Sequence, residues 1–154
     1  MISKNIVKSI IESGIEGTSV FLVDVKVDAS NRILVEVDKP EGITIDECVK
    51  ISRTVESNFD REVEDYELEV SSPGLTEPFK VIGQYRKNCG RAVDVVKTDG
   101  QKISGLLQFV DDYGIVLEVK AKVKEEGKKR PTIVMQTVPL KFIDIKTTKV
   151  KISF

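Results

Sequence analysis

At 154 residues the chain is long enough for one ordinary domain or two small ones. Its composition, 40% hydrophobic and 32% charged with no Trp, is that of a soluble, well-solvated protein. The longest apolar runs, such as VFLV at 20–23, are only strand-length, and the opening MISKNIVKSIIESG mixes Lys and Glu among its apolar residues; neither a membrane span nor a signal core is expected, and an intracellular, cytoplasmic location follows.

In chain order, Ile6 and Ile10, with Val7 and Ile11, recur at helical spacing, and Gly14 is placed to end that helix. In VFLVDVKVDASNRILVEVD, Phe21, Val23, Val25 and Val27 share one face, Ile33, Val35 and Val37 share another, and DASNR supplies turn residues, which predicts a β-hairpin. Thr44 and Glu47 then form the S/T-x-x-E pattern of a capping box. Cys48, Ile51, Val55 and Phe59 follow at helical spacing, so a second helix packs on the sheet. In YELEVSSPGLTEPF, Tyr66, Leu68 and Val70 alternate with Glu67 and Glu69 and make a strand with an acidic face. Ser71, Ser72, Pro73 and Gly74 then break every period, with Gly74 able to supply a positive φ and Pro78 blocking an early restart.

Beyond that break the grammar changes. FKVIGQYRKN has room for one helical turn, RAVDVV leads to an Asp99-Gly100 turn, KISGLLQFV leads to DDYG, and IVLEVK follows at once. AKVKEEGKKR interrupts, and PTIVMQTVPL and DIKTTKVKISF supply closing strands. The pattern predicts an α+β protein of two domains: an N-terminal α-β-β-α-β sandwich over residues 1–75, a linker over 76–84, and a small β-barrel over 85–154.

Charge divides at the same place. Residues 1–83 hold 9 Lys+Arg against 17 Asp+Glu, a balance of −8; residues 84–154 hold 15 against 8, a balance of +7. Halves of opposite sign face different partners.

Catalysis finds little support. With no His there is no Ser-His or Cys-His pair and no H-E-x-x-H, and the chain has no G-x-x-x-x-G-K-[ST] phosphate loop. Asp111 and Asp112 read as turn residues, Glu67 and Glu69 as a solvated strand face. A metal site from Asp24, Asp28, Glu36 and Asp38 is unspecific. Cys48 reads as helix core and Cys89 as a loop thiol, and two distant cysteines argue against a disulfide framework or a zinc site. No catalytic residue, cofactor or metal is expected.

Lys120, Lys122, Lys124, Lys128, Lys129 and Arg130 crowd one inter-strand connection, with Lys141 near the closing strands. Such a cluster tracks RNA phosphates, or else is the solvated tip of a hairpin. Six such contacts would give log affinity a slope of roughly −5 against log salt. Tyr85, Phe109 and Tyr113 are too few and too scattered in sequence to argue base stacking. The acidic half attracts basic proteins.

The runs VDKPEGITIDEC, Val37 to Cys48, and LEVSSPGL, Leu68 to Leu75, followed by the small-barrel pattern, resemble the RimP family of bacterial ribosome maturation factors over essentially the whole chain. The resemblance implies a C-terminal SH3-like or Sm-like barrel and a non-enzymatic role in assembly of the 30S small ribosomal subunit. Its implied partners are the immature free subunit, the rRNA backbone and a basic small-subunit ribosomal protein near the decoding centre, bound by a monomer. Ser71, Ser72, Pro73 and Gly74 then read as an interdomain elbow, or else as an ordinary strand-exit turn. SGLLQFVDDYGIVLE also looks like an Sm-type signature, which keeps open an Sm-like RNA-binding regulator unconnected with ribosomes. Thr76-Glu77-Pro78-Phe79 stands where the family usually has Asp-Arg-Pro-Leu, so any role of that arginine is in doubt here.

Overall fold

The computed structural model describes residues 1–154 apart from Glu125, Lys128, Ser153 and Phe154. The chain divides into two compact units, Met1–Gly74 and Leu75–Phe154.

The first unit runs α1 (Lys4–Ile15), β1 (Phe21–Val27), β2 (Arg32–Asp38), α2 (Ile45–Glu56) and β3 (Glu67–Ser71). The sheet order is β1-β2-β3; β1 pairs antiparallel to β2, and β3 parallel to β2. A parallel pair needs a crossover, and α2 supplies it. Ile33, Val35 and Val37, at most 1% exposed, form one core with Val7 and Ile11 of α1 and Ile51 and Val55 of α2.

Two details depart from simple periodicity. In α1 the core stripe is Val7 and Ile11, while Ile6 is 54% exposed. The helix also passes through Gly14 to Ile15, and it is Gly17, at φ +81°, that takes the left-handed conformation beyond its end. Gly14 serves helix contact instead: a Cβ there would lie 3.3 Å from Thr54 Cγ2 on α2. In β1 a bulge between Leu22 and Asp24 shifts the register, so Leu22, Val25 and Val27 pack on the core, where strict alternation would have sent Phe21.

The capping box forms. The Glu47 N–H donates to Thr44 Oγ1 at 3.2 Å, and the Thr44 N–H donates to Glu47 Oε1 at 3.1 Å. Lys39 Nζ sits 3.0 Å from the same carboxylate, and this ion pair together with the Thr44 N–H holds the Glu47 carboxyl below its usual range.

The second unit runs α3 (Ile82–Lys87), β4 (Ala92–Lys97), β5 (Lys102–Val110), β6 (Gly114–Val123), β7 (Thr132–Lys141), a 3-10 turn (Phe142–Asp144) and β8 (Ile145–Val150). All pairings are antiparallel, in the order β7-β6-β5-β4-β8. Among the described residues β7 and β8 do not pair with each other, so the closed barrel expected from the sequence is not formed. The sheet is nonetheless strongly curled. Four backbone steps from Lys141 to Ile145 span at most about 14 Å, whereas the edges of a flat five-stranded sheet lie about 19 Å apart. Gly105 permits the tight β5–β6 approach, since a Cβ there would stand 2.6 Å from the Glu118 carbonyl oxygen.

The basic run does not merely interrupt. Its first residues continue β6 as far as Val123, paired with Thr132 of β7, which makes a long two-stranded arm. Val93, Val95, Leu107, Ile115, Leu117 and Leu140 fill the core with Tyr85 of α3. Phe79 and Phe142 meet the Tyr85 ring edge-on at centroid distances of 4.9 and 5.1 Å.

Candidate nucleic-acid interface

Strand register decides which lysines share a face. Cross-strand partners project to the same side, and β6–β7 pairs Lys120 with Met135, Lys122 with Ile133, and Gly114 with Lys141. Since 114, 120 and 122 have the same parity on β6, Lys120, Lys122 and Lys141 lie on one side of the arm, opposite the core residues Leu117 and Leu140. Lys141 is six rungs from Lys120, about 20 Å along the strands. The predicted cluster is therefore two groups. One is the arm, where Lys120 and Lys122 alternate with Ile133 and Met135, which are 62% and 44% exposed, and where Lys124, Lys129 and Arg130 continue exposed toward the tip. Lys128 lies outside the described residues.

The second group surrounds Lys141. Together with Lys97 it lines a depression of about 450 Å³ that also holds Phe109 and Tyr113. Phe109 pairs with Val116, and Val116 with Pro139, so the Phe109 ring stands on the same outer face as Lys141. Tyr113 belongs to the β5–β6 turn, whose geometry is fixed by Asp111: its carboxylate accepts the N–H groups of Tyr113 and Gly114, each at 2.8 Å. A side chain at 114 would collide with the Leu140 carbonyl, so the turn meets β7 without a Cβ. Phe109 and Tyr113, scattered in sequence, thus come together. The signal was present in the four-residue spacing across a turn, which brings both ends of a hairpin connection to one place.

In the first unit, the sheet face away from the core carries the acids. Register rows place Asp24 beside Glu36 and Glu36 beside Ser71; Leu34 lies beside Glu69, and Arg32 beside Glu67. Ser71 is the last residue of β3, and Ser72, Pro73 and Gly74 follow it without regular structure. Gly74 is the last residue of the first unit. By units the charges are 8 Lys+Arg against 16 Asp+Glu (−8) for Met1–Gly74, and 16 against 9 (+7) for Leu75–Phe154.

Among the described residues no group of three or more acids or cysteines converges as a metal site. Asp28 instead caps its own turn, accepting the N–H groups of Ser30 and Arg32, each at 2.9 Å. Cys48 is half-buried and Cys89 exposed, both as free thiols. Among the described residues no helix is long and apolar enough to cross a membrane.

Comparison with known proteins covers both units. The RimP N-terminal domain family matches residues 10–76. Over 146 residues, 95% of this chain and 96% of the relative, the chain is 42% identical to the ribosome maturation factor RimP of Porphyromonas gingivalis. It is 38% identical to the proteins of that name from Christiangramia forsetii, over 90% of both chains, and Flavobacterium psychrophilum, over 87% of this chain and 88% of the relative. Identity of that degree, sustained from the acidic sheet through the curled basic one, makes this chain a member of the RimP family.

Proposed function

We propose that the protein is a cytoplasmic ribosome maturation factor that binds the immature, free small (30S) ribosomal subunit as a monomer and acts without a covalent step. The observation that supports this most is the opposite charge of its two units, −8 and +7, in a chain whose relatives bear that name along their length. The basic unit contacts rRNA backbone through Lys120, Lys122, Lys124, Lys128, Lys129, Arg130 and Lys141. The acidic sheet face contacts a basic small-subunit ribosomal protein near the decoding centre. In this reading the two units are separate domains, the curled sheet is an open version of an SH3-like barrel, and Ser71, Ser72, Pro73 and Gly74 form the elbow that sets their spacing. The factor favours one conformation of the maturing particle and leaves when that surface is lost.

Co-sedimentation of the purified protein with free small subunits, large subunits and whole ribosomes, at low and moderate salt, tests the proposal. Selective, salt-sensitive association with free small subunits is expected. Equal association with all three particles would overturn it in favour of a general RNA-binding regulator.

A further inference from the structure

The second unit sorts its described aromatic side chains into two classes. Phe79, Tyr85 and Phe142 pack against one another in the core. Phe109 and Tyr113 are 55% and 82% exposed, yet both line the same depression. We propose that this depression holds one unpaired RNA nucleotide whose base carries an exocyclic amino group. The proposal rests on the rRNA-binding reading above and deepens it, because it supplies a base contact where that reading supplies phosphate contacts alone.

Size, shape and charge agree. A volume of about 450 Å³ is within the range of small-ligand sites, roughly 300–1,000 Å³. The aromatic faces of Phe109 and Tyr113 are suited to stacking, which every base accepts. Lys97 and Lys141 stand on the lining to meet a phosphate. Asp111 and Asp144 line the same depression, so its formal charges balance and it does not suit a bare polyanion. The Asp111 carboxylate is already engaged by the turn N–H groups. The Asp144 side chain, on an exposed residue, is a hydrogen-bond acceptor for the amino group of adenine, cytosine or guanine, which uracil lacks. A duplex keeps its bases stacked inside and cannot offer one, so the site selects loops, bulges and single strands.

The test uses the full chain and fluorescence anisotropy with end-labelled heptamers of oligo(A), oligo(C) and oligo(U), and with an RNA duplex of the same length. Wild type is expected to bind oligo(A) and oligo(C) more tightly than oligo(U) or duplex. The double variant Phe109→Ala/Tyr113→Ala is expected to lose about ten-fold or more in affinity for oligo(A), with an unchanged salt slope, while Lys141→Ala lowers that slope by roughly 0.7. Tyr113→Phe, which keeps the ring, should restore wild-type binding, and Asp144→Ala should erase the discrimination against oligo(U). Equal affinity for duplex, no loss in the double variant, or no binding of wild type to any heptamer would each overturn the site. Its failure is distinct from failure of the proposed function: wild type that sediments with free small subunits but ignores heptamers removes this site alone. Wild type that binds heptamers through Tyr113 but sediments with no subunit removes the ribosomal role and leaves the site standing.

Discussion

The Tyr85 hydroxyl donates to Thr148 Oγ1 at 2.8 Å, joining α3 to β8 through a bond buried on both sides. Thr148 is fully buried, so the bond is not replaceable by water. Tyr85→Phe should therefore cost about 1–3 kcal/mol, the desolvation of an orphaned hydroxyl, seen as a lower midpoint in urea with an unchanged slope. Tyr85→Ala, which also removes a ring wedged between Phe79 and Phe142, should cost about 3–5 kcal/mol.

Burial also raises the Tyr85 pKa above its ordinary value of 10.0. A group with a raised folded pKa contributes stability that is whole below the unfolded value and lost as pH climbs through the folded one. Stability of wild type is expected to fall above pH 10.0 more steeply than that of Tyr85→Phe, measured by urea titrations across the alkaline range.

Glu47 gives the opposite limb. Its hydrogen bonds to Lys39 and to the Thr44 N–H lower its pKa from an ordinary 4.5, so its contribution is present above that pH and disappears as acid protonates it through the lowered value. Glu47→Gln should flatten the acid limb of the stability profile. Thr44→Ala, which removes the N-cap, should cost about 1 kcal/mol at neutral pH.

Two glycines are expected to part company. Gly17 sits at φ +81° with open space around it, so Gly17→Ala should destabilise by about 1 kcal/mol through backbone strain alone. Gly14 lies inside α1, and Gly14→Ala should be neutral or stabilising by up to about 1 kcal/mol through helix propensity, the Thr54 methyl yielding at its 3.3 Å contact. Thermal melts of the two variants decide this. A large loss at Gly14 would mean that Thr54 holds its place against the new methyl group.

On the basic arm, Lys120 and Lys122 lie on one face, and replacing both with Ala should reduce the slope of log affinity against log salt by about 2 for structured rRNA. An unchanged slope would remove the arm from the interface.

Much of the first unit was legible because its signals are local: the Thr44–Glu47 box, the Ile33, Val35 and Val37 alternation, and the acidic side of β3 all reappear in place. The bulge at Leu22 was not legible, since an extra residue in one strand depends on its partner. Nor was the arm. Lysines read as loop chemistry, while their strand state is set by pairing with the apolar residues Ile133 to Met135. The exposed aromatic pair escaped for a related reason, because composition counts aromatics without saying which ones the core takes.

β8 pairs with β4 across more than fifty residues, Asp94 with Lys149, whereas β3 finds β2 within about forty, Arg32 with Glu67. During synthesis the acidic unit therefore has every strand it needs once Ser71 is clear of the tunnel. The basic unit must wait for β8, Ile145–Val150, its β4 edge bare until then. A factor of this design emerges from the ribosome with its acidic half folded first and its basic half the last to take shape.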